Sequence, residues 1–318
     1  MAITATKSER SPRFSGHETF VCRYAWLPKV VQEISAEGGS GLFRCDETAM
    51  VKLGIGKNMV HSARFWAEAA QVIEESDDGG HKVTDFGCQL LHPEWHDPYL
   101  ERIETLWLIH WKIATNPFRP LFHWTELLNN WHRPEFYESE VLPFLEKALP
   151  KDKAQTAKRT LSDGFRVFVN SYVPSRGRKG EIAEDNLDCP LVELGLIRIA
   201  GERLTKDSHR EPIYSFNIEQ KPPITSELIA YCLHDFWQNS EAYREEKSLG
   251  LRVIGTEAGS PGQVFKLPES ALSGLLDGLS TATNGAMVFE ESRSMQQVWM
   301  KKQVSPQELL EQIYKIDL

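Results

Sequence analysis

Between Phe14 and Tyr24 the chain reads Phe-Ser-Gly-His-Glu-Thr-Phe-Val-Cys-Arg-Tyr, which sets an imidazole, a carboxylate and a guanidinium a few residues apart. His17 and Glu18 are the types that bind a divalent ion or move a proton, Arg23 is the type that relieves charge on a phosphate, and Gly16 lets the backbone turn sharply or approach a ligand. The same residues have an ordinary structural use, with Glu18 or Thr19 capping a helix that starts near Phe20 and His17 filling a hydrogen bond. A second group lies at Lys57, Asn58, His61, Ser62 and Arg64. On a helix these point away from an apolar side made by Met59, Ala63, Trp66, Ala67 and Ala70. Asn reads adenine edges, Arg reads guanine and Lys holds phosphate, so this face suits a DNA major groove, and it equally suits a solvated surface. A third group is the basic segment from Lys151 to Gly180, where Lys151, Lys153, Lys158, Arg159, Arg166, Arg176, Arg178 and Lys179 face only Asp152 and Asp163. Its Ser-Arg-Gly-Arg-Lys-Gly run at 175–180 fits a phosphate-tracking arm.

Other chemistries find little support. His92 and His96 have the i, i+4 spacing of a helical metal site, but Pro93 and Pro98 surround them and the Glu-x-x-His core is missing. Asp235, Glu245 and Lys247 superficially match a metal-nuclease pattern that sits on a hairpin, whereas here they fall on a helical pattern. Gly54-Ile-Gly-Lys57 lacks the spacing and the following Ser or Thr of a phosphate loop, so no nucleotide cofactor is indicated. Cys22, Cys45, Cys88, Cys189 and Cys232 are dispersed and odd in number, which predicts buried thiols rather than a disulfide framework or a zinc ribbon.

The elements that must carry these groups are mostly helices. Asp46 is placed to cap a short helix that stops at Gly54, and a second helix runs from Gly56 to about Ile73. A hairpin through the acidic turn Glu74–Gly80 follows, and then Thr84 caps another helix. Helix, turn, helix, hairpin is the order of a winged helix. Residues 97–149 are helical and rich in aromatics (Trp107, Trp111, Phe122, Trp124, Trp131, Phe136, Phe144), a stripe best read as core. A basic helix over 154–172 and strands within 198–217 suggest a second winged-helix-like unit. Beyond it come a helix at 224–247, short strands near Val264-Phe265 and Met287–Phe289, and helices at 268–279 and 305–315. The fold expected is mainly α with small β-hairpins, as tandem winged-helix-like modules joined by a helical, aromatic-rich segment. The boundaries are 1–95, 96–150, 151–250 and 251–318.

The composition agrees with a folded chain: 318 residues, 41% hydrophobic and 25% charged, with a net charge of −9. No apolar run approaches the roughly 20 residues of a membrane span, and the polar N-terminus lacks a signal-peptide core, so a cytoplasmic location away from membranes is expected. The negative total argues against indiscriminate coating of nucleic acid. Locally, residues 1–64 hold nine basic against six acidic groups, and local fields matter more than the total when a groove focuses them.

Several blocks resemble a known bacterial family. They are Phe14–Phe20, Leu53–Val60 with Arg64-Phe-Trp66, Trp111 with Ala114-Thr-Asn-Pro117, Asp188–Leu191 with Leu194–Ile197, and Ser260-Pro-Gly262 with Phe265-Lys-Leu267. The family is that of the SspB-like components encoded beside genes for DNA phosphorothioation. The resemblance implies a role in nicking DNA so that sulfur replaces a non-bridging phosphate oxygen, in company with a cysteine desulfurase, an ATPase and a sulfonucleotide-reductase-like protein. For such a nick the catalytic set expected is His17, Glu18 and Arg23, with or without Mg²⁺ or Mn²⁺. Double-stranded DNA would be held by Lys57, Asn58, His61, Arg64, Lys158, Arg159, Arg166, Arg176, Arg178 and Lys179. Two rival expectations are a non-catalytic winged-helix adaptor and a protein-interaction scaffold of the same machinery.

Overall fold

The computed structural model describes residues 11–36, 38–153, 155–174, 189–205, 207–292 and 295–315. The chain divides into two compact units, one of residues 1–127 with 131–217 and the other of residues 128–130 with 218–318. Helices dominate both, and the strands form small antiparallel sheets of two or three.

The first unit begins with helix α1 (Trp26–Ser35), whose Trp26, Leu27, Val30, Val31 and Ile34 recur at helical spacing and are buried. A 3₁₀ turn at Gly39–Arg44 leads to α2 (Asp46–Leu53). Gly54 ends α2 in the left-handed conformation (φ 69°) and donates its N–H to Met50 O at 2.9 Å, the way a glycine relieves the last carbonyls of a helix. Only Gly54, Ile55 and Gly56 separate α2 from α3 (Lys57–Ala69). Strands β1 (Ile73–Glu75) and β2 (His81–Val83) then pair with Ile73 opposite Val83 and Glu74 opposite Lys82. The Thr84 hydroxyl accepts from Gly87 N at 2.9 Å to cap α4 (Asp85–Leu91), and donates to Gln71 O at 2.6 Å, tying the hairpin's exit to the end of α3.

Three local expectations are corrected. No helix starts near Phe20; α1 starts at Trp26, and Glu18 and Thr19 take left-handed φ values of 47° and 63° that no helix start allows. Asp46 does not cap α2. It is the first helical residue, and its carboxylate is taken instead by Lys57 Nζ at 3.0 Å and His61 Nε2 at 3.1 Å. Ser62 lies on the buried side of α3 with Ala63, Phe65 and Trp66, because a hydroxyl is small enough to sit in the packing seam.

The aromatic stripe is core. Trp107, Trp111, Phe122, Trp124, Trp131 and Phe136 are buried on or beside α5 (Ile103–Ala114), α6 (Phe122–Thr125) and β3 (Glu135–Phe136). Trp124 packs edge-on against Trp66 of α3 and Phe168 of α8 (Lys158–Tyr172) at ring separations of 5.6 and 5.1 Å. Each such pair contributes roughly 0.5–1.5 kcal/mol beyond its buried area. At the centre the Tyr172 hydroxyl accepts from Trp124 Nε1 and is within 2.8 Å of His110 Nδ1, so this buried hydroxyl has partners on both sides. Helix α7 (Glu138–Ala148) and α8 pack together, and β3 pairs with β5 (Arg210–Phe216), which pairs with β4 (Ile197–Leu204).

In the second unit the helix Ser226–Asn239, capped by Thr225, packs against the helix Pro306–Tyr314, which opens with a reciprocal Ser305–Glu308 capping box. Strands β6 (Ser248–Gly250), β7 (Met287–Glu291) and β8 (Gln296–Met300) make its sheet, with β8 central. The strand expected at Val264-Phe265 is instead the end of a short helix, Pro261–Val264, because a proline after Ser260 is preset for the first helical position. Asn129 Oδ1 accepts from Gly259 N at 2.8 Å, Asn129 O from Gln263 Nε2 at 3.0 Å, and Leu128 O from the buried Lys266 ammonium. Among the described residues no helix is long and apolar enough to cross a membrane.

Candidate functional site

The segment singled out first is a tight turn on the flank of α3. Gly16 has φ 111°, and a Cβ there would fall 2.9 Å from Phe65 Cδ2, so the turn can lie this close to α3 only with glycine. Two successive non-glycine residues in the left-handed region, Glu18 and Thr19, cost on the order of 1–2 kcal/mol each. Strain of this kind concentrates at functional sites. His17 is 7% exposed, its ring edge-on to Phe65 at 5.6 Å. Burial pushes the imidazole down to about 4 and Arg13 adds to this, while Asp163 opposes it; the ring is therefore neutral near pH 7. Its Nδ1 accepts from Thr19 N at 3.1 Å, which places the ring proton on Nε2, and Nε2 is buried with no partner. His17 thus presents a buried Nε2–H donor without an acceptor in the protein.

The other two members of the expected catalytic set do not join it. Glu18 is exposed on the turn. The Arg23 guanidinium lies 5.9 Å from the Phe20 ring and 5.7 Å from the Trp26 ring. It lines a pocket of about 240 Å³ with Trp26, Lys29, Leu53 and Ile55, and neither His17 nor Glu18 borders that pocket. Among the described residues no three His, Cys, Asp or Glu side chains are grouped to hold a metal ion.

The exposed start of α3 carries Lys57 and Asn58 directly after the Gly54–Gly56 turn. Lys57 and His61 both meet Asp46, whose pKa is held low by the hydrogen bonds from Lys57 and His61. Across the adjoining hairpin, Lys82 pairs with Glu74 at 3.0 Å, and Arg44 reaches Asp78 at 2.6 Å.

At the far end of α3 a cluster forms that sequence reading had only in part. Glu68, whose side chain is 12% exposed, receives Arg13 Nη1 and Arg119 Nη1 on one carboxylate oxygen, each at 3.0 Å. Its other oxygen faces His81 Nε2 at 3.2 Å and Arg64 Nε at 3.9 Å. Burial alone would raise the Glu68 carboxyl, and the His81 hydrogen bond and three guanidiniums together hold it below its usual value. Arg64 was visible as a polar position on α3. Arg13 and Arg119 lie far apart in sequence and carry no motif of their own; the Ala114–Pro117 block marks the loop that brings Arg119 in.

On α8 the cations are exposed but each has a carboxylate: Lys158 with Glu146 at 3.4 Å, Arg159 with Asp163 at 3.6 Å and Arg166 with Glu138 at 3.6 Å. Arg176, Arg178 and Lys179 lie outside the described residues.

No protein with a curated description matches the chain. Two solved structures do. One, described as a magnesium ion-bound SspB crystal structure, aligns with a TM-score of 0.78 at 24% identity, covering 97% of this chain and 90% of its own. The other, an SspB crystal structure, aligns with a TM-score of 0.76 at 22% identity and the same coverage. The likeness read from the sequence blocks thus extends to the fold of nearly the whole chain. A family model spanning residues 14–314 matches as well, and the chain accordingly belongs to the family DUF4007, proteins of unknown function.

Proposed function

We propose that this protein is a DNA-binding component of a DNA phosphorothioate-modification machinery, a phage-defence system, and that it opens one strand of the duplex for sulfur to enter. The observation that carries the reading is the α2–Gly54-Ile-Gly56–α3 unit followed by the β1–β2 hairpin. Two helices joined by a three-residue turn, with a hairpin following, have the element order of a winged helix-turn-helix, a motif that lays the start of its second helix in a major groove. Lys57 and Asn58 stand at that start. The likeness to SspB supports the phosphorothioation setting, and on this reading the partners are duplex DNA, a cysteine desulfurase, an ATPase and a sulfonucleotide-reductase-like protein. One SspB structure holds magnesium. Magnesium is commonly held by one or two carboxylates plus substrate phosphates, and among the described residues no three His, Cys, Asp or Glu side chains are grouped to hold it alone.

A second reading, a non-catalytic adaptor that presents DNA to the other proteins, is favoured by the seclusion of His17 from Glu18 and Arg23. Supercoiled-plasmid relaxation by the wild type and His17→Ala, with Mg²⁺, Mn²⁺ or neither, separates the two. Nicking that His17→Ala abolishes supports the first reading with His17 in it, unchanged nicking removes His17 from the reaction, and no nicking under any condition leaves the adaptor. Binding is tested by anisotropy with a labelled duplex. Asp46→Asn releases Lys57 to phosphate and steepens the salt dependence by about 0.9 in log–log slope, while Lys57→Ala with Asn58→Ala weakens binding. No duplex binding by the wild type at low salt overturns both readings.

A further inference from the structure

Three guanidiniums meet a single carboxylate at the end of α3: Arg13, Arg64 and Arg119 around Glu68. His81, the remaining partner of Glu68, adds no negative charge. Three positive charges against one leave a surplus of two at a point where Glu68 and Arg13 are largely screened from water, their side chains 12% and 15% exposed. Arg64 and Arg119 are 43% and 48% exposed, so the surplus has an open side. A guanidinium carries five N–H donors in a planar fork, and the contacts to Glu68 use few of them.

The cluster is fixed by the backbone rather than gathered by chance. Asn116 donates to Glu68 O and Ala69 O, each at 3.3 Å, and accepts from Phe118 N at 3.1 Å and Arg119 N at 3.0 Å, so one side chain locks the Arg119 loop onto the end of α3. Arg13 is held against the same loop by Arg13 N to Pro120 O at 2.8 Å and Phe122 N to Arg13 O at 3.1 Å, and its guanidinium lies 4.2 Å above the Phe65 ring. Like charges forced together in this way repel: Arg13 is brought down to about 10, first by burial and then by Arg119 and Arg64. Preformed forks of this kind match the oxygens of a phosphate or sulfate.

We propose that Arg13, Arg64 and Arg119 form an oxyanion site that takes a tetrahedral phosphate group, with Glu68 as the carboxylate on which the three forks converge. Resting on the DNA-binding reading, the site's occupant is a backbone phosphodiester of the duplex; free inorganic phosphate shares the chemistry and serves as the probe.

The experiment uses the full chain as wild type, Arg64→Gln with Arg119→Gln, and Glu68→Gln. Melting temperature is followed against inorganic phosphate at constant ionic strength, and duplex binding against salt. Phosphate stabilises proteins weakly by exclusion, so the readout is the difference between variants. The wild type gains a saturable rise in melting temperature that the double arginine variant lacks, and Glu68→Gln, with one negative charge fewer, saturates at lower phosphate. In the duplex arm the double variant loses about 2 from the log–log salt slope. A phosphate response shared equally by all three proteins overturns the site. Duplex binding by the wild type that the double variant keeps in full also overturns it, while leaving the DNA-binding reading standing. A phosphate response confined to the intact cluster, without duplex binding, upholds the site and sinks that reading instead.

Discussion

The neutral, enclosed His17 makes the first unit sensitive to mild acid. His17 and His123 are both pushed by burial from the ordinary 6.5 down to about 4, and His123 also hydrogen-bonds Leu161 O at 3.0 Å. The unfolded chain therefore binds protons that the folded chain refuses, and stability is complete above pH 6.5 and drains away as pH falls towards 4. For each imidazole the full drop is worth about 3 kcal/mol, of which about 2 kcal/mol is spent by pH 5. Two such groups put about 4 kcal/mol at risk against a total that is commonly about 5–15 kcal/mol. Arg13 works in the same direction at His17 and Asp163 against it. The test is His17→Asn, whose side-chain carbonyl can accept the Thr19 N–H in place of Nδ1 but has no proton to take up. Urea unfolding at pH 7.5 and pH 5.0 should show wild type losing about 2 kcal/mol more than the variant across that interval. In ¹³C-histidine spectra the wild-type signal missing from the variant should show no protonation step above pH 5. Equal losses in the two proteins, or an imidazole that titrates near 6.5, would refute the reasoning and return His17 to the pool of ordinary acid–base groups.

Two substitutions probe the packing of the two units separately. A Cβ on Gly164 of α8 would fall 2.1 Å from His123 Cε1, so Gly164→Ala should destabilise the first unit by about 1–3 kcal/mol in spite of alanine's better helix propensity, seen as a lower melting temperature. In the second unit, Asn129→Ala removes the acceptor of Gly259 N; the cost should be about 1–3 kcal/mol and appear as faster amide exchange at Gly259, with the α3 amides unchanged.

What the sequence showed depended on how local the cause was. The Gly54 stop, the Thr84 cap and the hairpin closing at Asp78-Gly79-Gly80 are each set by a few neighbouring residues, and each forms where its residues stand. The aromatic stripe gave part of the core in the same way, whereas the apolar spacing of α1 went unread. Asp46 looked like a cap because caps are read from position alone, but a carboxylate goes to the strongest donors in reach, and here Lys57 and His61 come from the next helix. Arg13 and Arg119 could not be found as a pair because 106 positions separate them, and they are brought together by long-range contacts, the backbone bridge of Arg13 to Leu121 and their shared partner Glu68.

The same locality governs how a chain of net charge −9 would hold a polyanion, as the proposed function requires. Counting charges in a window credits Lys57, Lys158, Arg159 and Arg166 as available cations, yet each already faces a carboxylate supplied by another turn or helix. Such exposed pairs are worth only about 0–1 kcal/mol, so phosphate can displace the carboxylate at little cost. The gain is small as well, because a cation whose counter-ion is part of the protein contributes less net charge at the surface. The exposed pairs therefore tune register and salt response, with little hold of their own. Firm grip requires cations in surplus over their carboxylates, and the three arginines on Glu68 are a place where the fold arranges such a surplus around a buried carboxylate. On the proposed DNA-binding reading, an acidic protein built this way would grip a duplex at few points and release it readily.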